Sequence, residues 1–216
     1  MYDIILFDLD GTLTDPKPGI TKSVQYALTK LGIDEPNLEN LVPFIGPPLL
    51  KAFKEFYHLD DEQATLALQY YRERFATVGL YENAVFPGIK SMLAQLKRQG
   101  KILIVATSKP TVFSIKIIEH FGLQDYFQAV IGSNLDGTRV EKGEVIEFAL
   151  SELDQVDSSK IIMVGDRKHD VIGAKNNGID VIAITYGYGS LEELNEAEPT
   201  YIVNTVQELH DFLQAN

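Results

Sequence analysis

Apolar positions along the chain fall into two regimes. Between residues 20 and 78 they recur at spacings of three and four, the period of helices buried on one face. Val24, Ala27, Leu28 and Leu31 make one such stripe, stopped by Gly32. Leu49, Leu50, Phe53 and Phe56 make a second after Gly46-Pro47-Pro48. Leu66, Leu68, Tyr71 and Phe75 make a third, closed near Gly79. These stripes read as core packing, and no strand pattern interrupts them. Outside this segment, short continuous apolar runs alternate with helical stretches. Residues 4–7, 101–107, 129–132, 160–164, 180–185 and 200–203 read as strands. Residues 89–99, 110–120, 142–153, 170–177 and 206–213 read as helices. Residues 15–19 read as a rigid turn, and the Pro- and Gly-bearing stretch 81–88 as a second boundary. Strands alternating with helices imply an α/β fold, a parallel sheet covered by helices. The expected organisation is a core of residues 1–16 and 84–216 with a helical insertion at 17–83.

Composition narrows the classes. At 216 residues and 45% hydrophobic, the chain can bury a sizeable core. It contains no apolar run of membrane-spanning length and no basic, cleavable leader pattern. Zero cysteines exclude disulfides, thiolate metal sites and a cysteine nucleophile. A cytoplasmic location is the expectation. The formal net charge of −12 disfavours nucleic acid and anionic membranes as partners. A small anionic substrate would need a local positive feature. With no evident interface signal, a monomer is expected.

Polar residues cluster where the expected strands end, which is where open parallel sheets bind ligands. Asp8 and Asp10 follow the first strand, two residues apart and therefore on one side of an extended chain. Close carboxylates need a cation or a shared proton. A divalent metal would make one a ligand and nucleophile and leave the other free for proton transfer. The alternative is a solvated acidic turn. Thr107 and Ser108 offer hydroxyls before a helix, as N-caps or as phosphate ligands. Lys142 lies at a helix start, where the macrodipole disfavours a cation unless an anion is nearby. Asp166 follows Gly165 at a strand end, and Asp170 lies four residues on, either capping its helix or orienting Asp166 or a metal-bound water. The four histidines lack metal-ligand spacing. No P-loop, dinucleotide fingerprint or EF-hand pattern is complete.

Taken together, these motifs resemble the Mg-dependent phosphatases of the haloacid dehalogenase (HAD) superfamily. Residues 8–15, DLDGTLTD, look like its first motif, Thr107 its second, Lys142 its third, and Gly165-Asp166 through Asp170 its fourth. The order and span match across nearly the whole chain. The resemblance implies a Rossmann-like, HAD-like core with an inserted helical cap. It implies that Asp8 attacks phosphorus and that Asp10 is the general acid/base, its backbone carbonyl also binding the metal. Thr107 and Lys142 would hold the transferring phosphoryl group, together with Ser108 and the backbone around Leu9 and Gly11. Asp166 would ligate Mg²⁺ beside Asp8 and Asp10, with Asp170 in an outer shell. The stretches GDRKHDVIGAKNNGI and TYGYGS resemble phosphoglycolate phosphatase-like and 5′-nucleotidase-like members. One departure is Gly143, where many relatives follow the lysine with proline. The implied activity is hydrolysis of a small phosphorylated metabolite. A phosphomutase of the same superfamily and a non-enzymatic phospho-receiver are the alternatives.

Overall fold

The structure, a computed structural model, describes residues 1–153 and 157–216. The chain divides into two compact units, one of residues 1–15 and 85–216, the other of residues 16–84. The first strand, β1 (Ile4–Phe7), is fully apolar and buried along its length. A short strand, β2 (Thr14–Asp15), closes the first pass through the larger unit.

The smaller unit holds α1 (Lys17–Lys30), α2 (Leu49–Tyr57) and α3 (Asp61–Phe75), with short 3₁₀ turns at Leu38–Phe44 and Gly79–Tyr81. The rigid turn expected at 15–19 is instead a strand end followed at once by a helix start. Proline is tolerated in a first helical turn because those N–H groups have no intrahelical partner, and Pro18 sits there in α1. The third stripe also shifts. Ala64, Ala67, Tyr71 and Phe75 are the buried positions of α3, and Leu66 is exposed. In α2, Ala52 and Phe53 are buried, whereas Leu50 and Phe56 are exposed. Small residues carry the contact where helices approach closely. A Cβ at Gly19 would strike the carbonyl of Gly79. Phe44 and Phe53 stack edge-on at 5.0 Å in this unit's own core.

The larger unit resumes after β3 (Ala84–Val85) with α4 (Ile89–Arg98), β4 (Ile102–Pro110), α5 (Thr111–His120) and β5 (Ala129–Ser133). Then come α6 (Lys142–Ser151), β6 (Ile161–Gly165), α7 (Lys168–Asn176), β7 (Asp180–Ile184), α8 (Leu191–Ala197), β8 (Tyr201–Val203) and α9 (Val206–Ala215). Among the described residues six strands form one sheet in the order β5-β4-β1-β6-β7-β8. Its neighbouring strands pair in parallel, as the alternating pattern predicts. Ile4 and Leu6 of β1 pack into one face with Ile104, Met163, Val145, Val171 and Ala174, so α6 and α7 cover that side.

Two details depart from expectation. Strand β4 runs on to Pro110, so Thr107 and Ser108 lie within a strand end and cap no helix. Pairing of Pro110 with Ser133 holds the extension in the sheet. Helix α8 was absent from the periodicity, because only Leu194 of its seven residues is buried. Its signal lay in the cap: Ser190 accepts from the Glu193 N–H at 3.0 Å, the S-x-x-E start of a helix.

Leu6 is wholly buried at the centre of the sheet. Leu6→Ala is expected to cost about 2–5 kcal/mol through lost transfer energy and the residual cavity. Denaturant unfolding monitored by far-UV circular dichroism measures it.

Candidate active site

Strand β1 lies between β4 and β6, so the carboxyl ends of three neighbouring strands share one rim. Asp8 leaves β1 with its N–H donating to Val164 O at 2.9 Å, which fixes its backbone against β6. The chain then turns sharply. Gly11 adopts φ +84°, and the N–H groups of Leu13 and Thr14 both donate to Leu9 O. The Gly11 N–H donates to Thr14 O at 2.8 Å. A Cβ at Gly11 would collide with the Asp166 carboxylate.

Lys142 opens α6 and is buried. Its ammonium lies 2.7 Å from Asp8 Oδ1 and 2.8 Å from Asp170 Oδ1, and it donates to Ala106 O at 3.1 Å. The conflict between a cation and a helix start is thus resolved by the protein's own anions. Glycines bring α6 and α7 close enough for this. A Cβ at Gly173 would meet the Gly143 N–H and the Lys142 stem, so the glycine that replaces the common proline sits in a tight helix crossing. Asp170 also reaches back as a helix cap, accepting from the Arg167 N–H at 3.0 Å.

Asp166 has no exposed surface. Its Oδ2 accepts from the Tyr188 N–H at 2.7 Å, and its Oδ1 from the Thr12 hydroxyl at 3.3 Å. A Cβ at Gly187 would strike the Asp166 side chain, and one at Gly189 its backbone carbonyl. The Tyr188 hydroxyl in turn donates to Asp15. Thr107 is buried at the end of β4, its hydroxyl oxygen accepting from the Lys109 N–H at 3.3 Å. The carbonyl of Ser108, beside it, accepts from the Ser133 hydroxyl at 2.8 Å.

Sequence reasoning passed over Lys109, whose ammonium lies 2.5 Å from Asp10 Oδ2 with both side chains buried. Its signal was the two-residue period of a strand. Thr107 and Lys109 share a side of β4 as Asp8 and Asp10 share a side of the chain. Thr12, Asp15 and Tyr188 were also passed over, since their contacts span far-separated positions.

One oxygen from each of Asp8, Asp166 and Asp170 lies within 4.8 Å of the others. Burial foremost, then the neighbouring Asp170 and Asp8, pushes the Asp166 carboxyl well above its ordinary range. Burial lifts Asp170 to about 6 despite Lys142. Burial also lifts Asp10, with Lys109 opposing. Desolvation works against the Lys142 charge, but Asp170 and Asp8 outweigh it and raise its pKa. Hard oxygen donors crowded under excess negative charge fit a divalent cation such as Mg²⁺.

The haloacid dehalogenase-like hydrolase family matches residues 5–184. The chain belongs to that family. A 5′-nucleotidase of Pseudomonas aeruginosa is 48% identical over 215 residues, covering 100% of this chain and 97% of the relative. The tyrosine-protein kinase PtkA of Mycobacterium tuberculosis is 35% identical over 212 residues, covering 97% of this chain and 72% of the relative. The crystal structure of a predicted phosphatase from Clostridium acetobutylicum superposes with a TM-score of 0.97 at 50% identity, covering 100% of both chains. The chain is accordingly a phosphoric monoester hydrolase with the α/β architecture its pattern announced. None of the described helices is long and apolar enough to cross a membrane.

The cluster predicts a metal-dependent stability. A carboxyl whose folded pKa is raised binds its proton more tightly folded than unfolded, so its ionisation subtracts stability as pH rises. For Asp170 that window runs from its ordinary 3.8 to about 6. Mg²⁺ at a hundredfold excess over its Kd should therefore raise Tm by roughly 5–10 °C at pH 7. The rise should shrink towards pH 4 and vanish in Asp166→Asn. Differential scanning fluorimetry across pH, with and without Mg²⁺, reads it out.

Proposed function

We propose that this hydrolase dephosphorylates a small phosphorylated metabolite through an aspartyl-phosphate on Asp8. The observation that carries the reading is the separate pairing of two aspartates on one strand end: Asp8 with Lys142, Asp10 with Lys109. Asp8 stands with Asp166 and Asp170, whereas Asp10 lies against Lys109. Such a division suits a nucleophile and a proton carrier.

In the first step an Asp8 oxygen attacks phosphorus and the bond to the leaving oxygen breaks. Asp10 gives that oxygen its proton. In the second step water attacks the phosphorus of the aspartyl-phosphate, Asp10 takes a proton from that water, and the bond to Asp8 breaks to release phosphate. Lys142, Thr107, Ser108 and the Leu9 N–H are assigned to the phosphoryl oxygens. Gly11 is assigned to the same wall of the site, contributing a backbone free of side chain. Asp8, Asp166 and the Asp10 carbonyl would hold Mg²⁺, with Asp170 behind them, and the bound cation supplies neutralisation of phosphoryl charge. Choice of leaving group is assigned to the inserted helical unit, residues 16–84, in the part of the family's cap. A phosphoglycolate-like acid and a nucleoside 5′-monophosphate are the substrates this reading favours, the second supported by the name of the P. aeruginosa relative.

Asp8→Asn is expected to lower kcat at least about ten-thousand-fold, and Asp10→Asn by about a hundred- to ten-thousand-fold, with folding intact. EDTA should silence the wild type and Mg²⁺ restore it. Phosphate release over a panel of phosphoglycolate, nucleoside monophosphates and sugar phosphates is the measurement. Near-wild-type turnover by Asp8→Asn would refute the nucleophile. Transfer of the phosphoryl group to a second acceptor, with no free phosphate, would replace hydrolysis by a mutase or kinase reaction.

A further inference from the structure

We propose that Lys109 is a positioning residue for the leaving-group step: it holds Oδ2 of Asp10 so that Oδ1 is the oxygen presented to the departing group. The inference rests on the phosphatase reading given above and adds a residue to it.

Asp10 has two carboxylate oxygens in different surroundings. Oδ2 lies 2.5 Å from the Lys109 ammonium. Oδ1 is buried and has no hydrogen-bond partner among the described residues. A buried oxygen without a partner is costly unless something meets it during function. A carboxylate rotating freely about its last torsion would exchange the two oxygens. An ammonium held on one of them breaks that equivalence.

Lys109 can impose this because its own backbone is fixed. It lies in the part of β4 that continues beyond Thr107, next to Pro110, whose ring fixes φ. Its N–H donates to the Thr107 hydroxyl oxygen at 3.3 Å. The β5 backbone presses on it from the neighbouring strand, since a Cβ at Gly132 would strike the Lys109 carbonyl. The cation is thus mounted on sheet rather than on loop, and a site built on such an element holds its geometry. Lys142 is engaged elsewhere, by Asp8, Asp170 and Ala106 O.

Positioning of a proton donor matters only where the leaving group needs a proton. An alkoxide leaves poorly unless protonated as the bond to phosphorus breaks, whereas p-nitrophenolate leaves as a stable anion. The quantity kcat/KM reports events up to that bond cleavage and omits hydrolysis of the shared aspartyl-phosphate. Lys109→Met and Lys109→Gln should therefore lose roughly a hundredfold in kcat/KM on an alkyl phosphate, the scale of a misplaced catalytic group. On p-nitrophenyl phosphate the loss should stay within about threefold. Thermal unfolding establishes which of the two variants folds, and the ratio is read there. Equal losses on both substrates would reduce Lys109 to a structural counter-ion and overturn the inference. Wild-type protein that releases phosphate from neither compound, nor from the metabolite panel, would instead overturn the phosphatase reading itself.

Discussion

Repulsion among buried carboxylates is the constraint on which this site depends. Asp8, Asp10, Asp166 and Asp170 are buried at one rim of the sheet, and among the described residues the buried cations are Lys109 and Lys142. Two unit charges 4.8 Å apart, the limit of the Asp8–Asp166–Asp170 set, repel by about 3 kcal/mol at an effective dielectric of 20. Such a cluster survives folding because each member is held by something fixed: a lysine, a backbone N–H or a hydroxyl. Burial first, and that repulsion second, raises the pKa values of Asp10, Asp166 and Asp170. A cation bound among them would relieve it.

Holding the cluster requires backbone where side chains would ordinarily sit. Gly11, Gly187 and Gly189 close on Asp166, Gly165 closes on Asp170, and Gly143 meets Gly173 behind Lys142. A methyl group at Gly11, Gly187 or Gly165 would displace an aspartate side chain of the site itself, and one at Gly189 would strike the Asp166 backbone carbonyl. The parallel sheet supplies the rest. Its strands end at a common rim, so residues over 150 positions apart, such as Thr12 and Asp166, meet through side-chain hydrogen bonds.

Much of this was legible in the chain. Continuous apolar runs ending in Asp8, Thr107 and Gly165-Asp166 announced both the sheet and its functional rim, because burial on two faces leaves a strand no polar alternation. The periodic stripes announced the helices of the inserted segment. They misassigned Leu66 and Leu50 because a stripe records spacing and not which flank the neighbouring helix covers; Ala64 and Ala67 carry the close contact instead. The extension of β4 past Thr107 was hidden because Pro110 reads locally as a helix start. What holds it extended is pairing with Ser133, a residue far along the chain. Tyr188 was hidden for the same reason: its N–H meets Asp166 and its hydroxyl meets Asp15, contacts with no local signature.

The asymmetry between Asp8 and Asp10 follows from topology rather than from the two residues themselves. They are chemically identical and two positions apart. Asp8 still runs beside β6 and meets a lysine from α6, on the sheet face where α7 brings Asp170. Asp10 has already left the strand and meets a lysine from the far end of β4. One neighbour in the sheet therefore gives Asp8 company among the acidic groups, and the other gives Asp10 a buried lysine. Because each lysine belongs to a different element, a change of charge at either aspartate leaves the other's lysine in place.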